Sequence, residues 1–147
     1  MKKMIVLVAA VMITGATFAN PVANPVSEKA KAAFAKEFKG AQYTEWKGEK
    51  DGLYLVTFKM NGESLTAWLS EDGKVEALQR NITADKATIL ASRAISTLSS
   101  QATVTALVEV TQNGDLYYLV KTEDEKSITT YKVYADGETQ KIERRKL

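Results

Sequence analysis

Residues 64–74 read SLTAWLSEDGK, and residues 127–138 read SITTYKVYADGE. Each alternates small or polar with larger apolar side chains and then runs into an Asp-Gly turn, the pattern of a strand entering a hairpin. The likeness spreads outward from these two stretches. Tyr54-Leu55-Val56 matches Tyr118-Leu119-Val120, Asp72-Gly73 matches Asp136-Gly137, and Arg80 matches Arg144, at a step of about 64 residues. With a one-residue gap, Ser64-Leu65-Thr66 matches Ser127-Ile128-Thr129, which makes Trp68 and Tyr131 equivalent. The sequence therefore predicts a fold built twice.

Each unit opens with a helix. Ser27 is a good N-cap, Ala30, Ala33, Phe34 and Phe38 recur at helical steps, and Gly40 supplies the stop. In the second unit Thr83 is the expected cap, with Ile82 poised as a staple to Ala87. That helix is predicted to reach about Leu98, with Ala87, Leu90, Ala91, Ala94 and Leu98 on one face. The period then changes to two. Tyr54, Val56, Phe58 and Met60 alternate before Asn61-Gly62, and Leu65, Ala67 and Leu69 before Asp72-Gly73. Val104, Ala106, Val108 and Val110 alternate before Asn113-Gly114, and Leu116, Tyr118 and Val120 follow it. The expected fold class is α+β: a tandem repeat of one helix plus an antiparallel four-stranded meander, with the helices packed on one face of the sheet. The repeats span 27–82 and 83–147 and form one compact unit over 27–147. A unit of about 60 residues without disulfides is marginal alone, so the two are expected to share a sheet and a core.

Ahead of the repeats, Met1-Lys2-Lys3 is followed by the apolar run MIVLVAAVMITGATFA. This reads as a secretory signal peptide over 1–19, followed by an extended arm over 20–26 that holds both prolines, Pro21 and Pro25. A membrane anchor fits less well, because Thr14, Gly15 and Thr17 interrupt a run already short of the ~20 apolar residues that a span needs. The formal charge of the 147 residues is +2, and Lys2 and Lys3 are the leader's only charges, so the mature chain is neutral. Neutrality gives no electrostatic footprint for nucleic acid or, after cleavage, for a membrane. The expected location is the periplasm or outside the cell.

The composition closes most routes to catalysis. The chain has no His and no Cys, which removes nucleophilic triads, disulfides and the commonest metal ligands. Lys126 and Ser127 are adjacent, so on a strand they point to opposite faces. Glu71-Asp72 and Glu123-Asp124-Glu125 fall at turns and read as solvated acids; the second group lacks the ligand spacing and glycine of a calcium loop. Asn81-Ile82-Thr83 fits a glycosylation triplet, yet Thr83 is better explained as a cap. Lys141, Arg144, Arg145 and Lys146 form a basic tail that reads as a solvated end. No catalytic residue, cofactor or metal site is predicted.

The aromatic side chains carry the functional expectation. Tyr54, Val56, Phe58, Leu65, Ala67 and Leu69 are assigned to the helix side, with Leu116, Tyr118, Val120 and Ile128 as their partners, joined by Trp46 and Val110. The other side then carries Tyr43, Leu55, Trp68, Leu107, Tyr117, Leu119 and Tyr131 among Thr and Ser. A sheet face so rich in large groups suits a binding surface. Alternation fixes the two sets but not which one meets the helices.

These residues resemble a known family. The leader, the stretch NPVSEKAKAAFAKEFKGA (24–41), the hairpin EWKGEKDGLYLVTF (45–58) and the strand pair SLTAWLSEDGKVEAL (64–78) are similar to the small secreted PepSY-like proteins, also described as beta-lactamase-inhibitor-like. The resemblance covers essentially the whole mature chain. It implies a tandem repeat of a helix on an antiparallel sheet, a relation to inhibitory peptidase propeptides, and a protein-binding sheet face. The second half departs from the first: Val110 stands where the first repeat has Trp46, and 87–98 has no Phe pair.

The expectation is an exported, non-enzymatic protein that binds or inhibits an unknown protein or peptide. Trp68 and Tyr131 are its expected anchors, with Tyr117, Tyr43 and Leu55 around them. The alternative is a periplasmic carrier of a small apolar ligand, with a cavity between helices and sheet lined by Phe34, Phe38 and Phe58.

Overall fold

A computed structural model describes residues 25–147. The leader and most of the arm lie outside the described residues. The fold is α+β, with two helices and one eight-stranded antiparallel open sheet. The helix α1 (Glu28–Glu37) precedes β1 (Gln42–Gly48), β2 (Leu53–Met60), β3 (Glu63–Ser70) and β4 (Val75–Asn81). The helix α2 (Ile89–Ser99) precedes β5 (Thr103–Gln112), β6 (Asp115–Glu123), β7 (Ser127–Tyr134) and β8 (Thr139–Lys146). Spatial order follows chain order from β1 to β8. Asn61-Gly62 and Asn113-Gly114 take positive φ at both positions, as the tight hairpins β2–β3 and β5–β6 require.

The α1 helix buries Phe34 and Phe38 against Val56, Phe58, Leu65, Ala67 and Leu69. Burying such a side chain stabilises the fold by roughly 1.5–3 kcal/mol. The α2 helix buries Ala91, Ile95 and Leu98 against Leu107, Tyr118, Val120 and Val133. Cross-strand partners point to the same side of a sheet. The pairs Ala67↔Leu78, Leu78↔Thr111 and Thr111↔Leu116 therefore carry one side continuously from the α1 cluster to the α2 cluster.

Both helices are fixed by the same device. Ser27 accepts the N–H of Ala30 and donates its hydroxyl to the carbonyl of Glu71, in the β3–β4 turn, at 2.7 Å. Thr88 accepts the N–H of Ala91 and donates to the carbonyl of Ala135, in the β7–β8 turn, at 2.6 Å. Gly73 and Gly137, both near φ +90°, lie against the carbonyls of Lys29 and Leu90, where a Cβ would come within 2.9 Å of either oxygen. Thr88, not Thr83, is thus the cap of α2. Thr83 instead opens a short 3-10 turn, Ala84–Lys86. The predicted face of α2 shifts with it: Ile95 is buried, whereas Leu90 is half exposed.

Between the two apolar clusters, on the helix side, lies an ionic seam. Arg80 donates to Glu109 at 2.7 Å and to Glu63 at 2.9 Å, and Lys86 donates to Glu63 at 2.9 Å. Glu109 and then Glu63 hold Arg80 firmly charged, while Lys86 and then Arg80 hold the Glu63 carboxyl below its ordinary range.

Candidate binding face

No described helix covers the opposite side of the sheet. Its centre is a row of cross-strand partners, Thr57↔Thr66↔Gln79↔Val110↔Tyr117↔Tyr134. One flanking row runs Leu55↔Trp68↔Ala77↔Gln112, and the other Val108↔Leu119↔Lys132↔Gln140.

Four of the predicted site residues lie on this side, spread from β1 to β6. Leu55 and Trp68 pair directly, and Tyr117 lies two strands beyond Gln79 in the central row. Tyr43 sits at the sheet edge, where the β1 register shifts; it is 78% exposed at φ 52°, with the Lys59 ammonium 5.6 Å from its ring centroid. Trp68 does not protrude. It is only 8% exposed, so most of the indole is packed into the protein and little remains for a partner.

Tyr131 is a correction. It pairs with Val120 and packs at the margin of the α2 cluster, on the helix side. The one-residue gap in the sequence match caused the error. Without the gap Trp68 aligns with Lys132, and in the sheet Trp68 pairs with Leu55 as Lys132 pairs with Leu119. Ile128 is displaced by the same gap and alternates to the helix-free side. A β-bulge between Val104 and Ala106 explains two further reversals. The extra residue inverts the alternation. Leu107 therefore joins the α2 cluster, and Val110 moves to the helix-free side with Val108, where Tyr117, Leu119 and Tyr134 bury both.

The expected ligand cavity behind the sheet is also corrected. Phe34, Phe38 and Phe58 fill that space with their own rings, at centroid separations of 4.9 to 5.1 Å. A cavity of about 450 Å³ lies instead at the β5–β6 turn, lined by Gln112, Leu116, Tyr117, Lys132, Tyr134 and Ala135 together with Asn113–Asp115.

Lys132 is the residue that the sequence did not single out. Its ammonium lies 4.0 Å from the Tyr117 ring centroid and 4.7 Å from that of Tyr134. Burial, and secondarily Tyr134, push the Tyr117 hydroxyl up, which keeps it a donor; it donates to Gln112 Oε1 at 3.0 Å. Gln79 contributes an unmet acceptor: its Oε1 is buried and has no donor among the described residues. The signal for Lys132 in the sequence is its step of 64 residues from Trp68, which the gap conceals.

The other polar clusters are structural. Ser127 is buried, donates to Asp124 and accepts from Arg144. Asp124 also accepts the N–H groups of Lys126 and Ser127, and these bonds hold its carboxyl low and close the β6–β7 turn. Asp72 accepts from Ser70 in the β3–β4 turn. Among the described residues no trio of Asp and Glu converges to hold a metal ion, and no helix is long and apolar enough to cross a membrane.

No protein-family model matches the chain, and no curated protein matches it significantly. Solved structures do. A protein from Bacteroides eggerthii DSM 20697 described as periplasmic is 16% identical, at a TM-score of 0.72 over 84% of this chain and 90% of that one. A DUF2874 family protein from Bacteroides uniformis ATCC 8492 is 19% identical, at 0.70 over 84% and 89%. A BLIP-like protein from Bacteroides fragilis NCTC 9343 is 12% identical, at 0.68 over 84% and 88%. At these identities the likeness is one of fold.

Proposed function

We propose that this chain is an exported, non-enzymatic binding protein that holds a protein or peptide on the helix-free face of its sheet. The observation that carries the reading is the central row of that face. It carries polar Thr66, the half-buried amide of Gln79, and a pair of tyrosines around Lys132, with no described helix laid over them. Aromatic groups with a polar end, in a surface left uncovered, suit recognition of a polypeptide. Tyr134 and Lys132 are the contact residues, backed by the buried Tyr117, with Leu55 farther along the face on β2 and Tyr43 at the rim. Export over a 1–19 leader agrees with the charged and apolar segments of the N-terminus and with the periplasmic description of the B. eggerthii protein. The BLIP-like likeness is compatible with a protein partner and names none.

The same reading makes the chain two copies of one unit, 27–82 and 83–147, in the manner of the PepSY-like proteins. The matched caps Ser27 and Thr88, and the matched turns at Gly73 and Gly137, support it. Only the second copy carries the Tyr117–Lys132–Tyr134 group, so the duplicated frame is the scaffold and the second half gives the contact.

The test is site-directed photo-crosslinking in the envelope of the producing cell. A photoreactive residue at Thr66 is expected to give a discrete adduct that the same residue at Lys36, on α1, does not. Identical patterns from both positions, or none from Thr66, would overturn the reading.

A further inference from the structure

We infer that the partner presents an extended acidic segment and that Lys132 receives one of its carboxylates. This deepens the reading above and rests on it. Three features of the face lead to it.

The first is the state of Lys132. It is partly buried between two rings, yet it forms no ion pair with any described carboxylate. Ring faces attract a cation but do not neutralise it. Because Tyr117 and Tyr134 hold its position, the ammonium is set before a ligand arrives, which lowers the ordering cost of binding. A carboxylate is the group that completes such a cation with both charge and hydrogen bonds.

The second is the space beside it. The 450 Å³ cavity opens next to Lys132 and Tyr117 and has room for an Asp or Glu side chain. Asp115 also lines it but makes no ion pair with Lys132. Lys132 stands in the interior of this face, whereas Lys59, Lys121, Asp115 and Glu123 lie toward the ends of their strands.

The third is Gln79. Its Oε1 is buried without a donor; rotation of the half-buried amide toward the surface would bring it to the N–H groups of an extended backbone. Gln79 on β4 and Lys132 on β7 are three strand spacings apart and two residues out of line, about 16 Å. A run of about four or five extended residues spans that distance. One segment lying across the strands can donate an N–H to Gln79 and place a carboxylate at Lys132.

The experiment is a selection from random linear peptides displayed on phage, against the full mature chain. The selected peptides are then synthesised and measured on three variants. Thr66→Arg blocks the centre of the face, Lys132→Met keeps the aliphatic stem between the rings while removing the charge, and Lys36→Met is a distant control. Thermal melts verify that each variant is folded. The expected result is a set of peptides enriched in Asp and Glu that lose binding on Thr66→Arg and bind Lys132→Met about tenfold or more weakly. They should bind Lys36→Met as they bind the parent, and weaken as salt rises. Peptides blocked by Thr66→Arg that carry no acid excess, or that tolerate Lys132→Met, would overturn this inference and leave the binding face standing. A selection with no binders, or with binders indifferent to Thr66→Arg, would overturn the face itself.

Discussion

Arg80 donates its Nε–H to Glu109 across 2.7 Å, and that bond spans the β4–β5 pair, where the first helix-bearing half meets the second. Glu109 is mostly buried, and the pair stands between the two apolar clusters together with the ion pairs of Glu63 to Arg80 and Lys86. Arg80→Met removes the donor to both Glu109 and Glu63. Hydrogen bonds to charged groups contribute about 1.5–3 kcal/mol, so the variant is expected to lose stability in that range. A lower urea midpoint with an unchanged slope would agree. An unchanged midpoint would make the seam decorative.

The same seam gives a pH dependence. The Glu63 carboxyl is held below its ordinary value by Lys86 and then Arg80. A depressed folded-state value means that the unfolded chain takes up the proton first. The stabilisation is present above the ordinary carboxylate range and is lost as pH falls through the lower folded value. Asp72, Asp85 and Asp124 are held low as well and act in the same direction. Urea titrations at about pH 7 and about pH 3 should show a loss on acidification that is smaller in Glu63→Gln.

Gly73→Ala and Gly137→Ala should each be costly, for two separate reasons. Their φ values, +90° and +91°, are ones that L residues avoid, and the new Cβ would meet a helix carbonyl at 2.9 Å. Gly114→Ala shares only the first reason, because its Cβ would point into open space. The expected order is a loss of about 1–2 kcal/mol for Gly114→Ala and clearly more for the other two, read from thermal melts. Equal losses would mean that the helices yield readily at their N-termini.

Trp68→Ala should destabilise the protein by about 3–5 kcal/mol, the usual cost of emptying a buried Trp site. In a Trp46→Phe background its fluorescence should resist a neutral quencher. Ready quenching would return Trp68 to the surface, and with it the role of anchor.

Ser27→Ala and Thr88→Ala should cost about 0.5–2 kcal/mol each, since both residues cap a helix and tie it to a turn. A large effect at one site and none at the other would argue against equivalent halves.

Much of the fold was legible because its signals are local. The Asn-Gly turns, the Ser27 cap and the alternation on β2, β3 and β6 all act over a few residues. What misled was parity. A single extra residue, whether the bulge before Ala106 or an imagined gap before Ser127, turns a strand's side chains over, and neither composition nor period reports it. Leu107, Val110, Ile128 and Tyr131 were all misplaced for that reason. Thr83 looked like a cap because its neighbours suited a helix. The choice of Thr88 depends on Ala135 and Tyr118, which lie far along the chain. Lys132 drew no notice because a lysine between two tyrosines becomes distinctive only when the strands are laid side by side.

The order of the strands has a consequence for how this molecule forms. Each strand lies beside its neighbour in sequence from β1 to β8, so no pairing requires a distant segment to arrive first. The longest interval between paired strands is the one that holds α2, from Asn81 to Thr103. Closing such short loops costs little chain entropy, and local topology favours rapid folding. A sheet of this breadth is therefore expected to assemble hairpin by hairpin, faster than β-sandwiches of similar size whose strands must exchange partners across the chain.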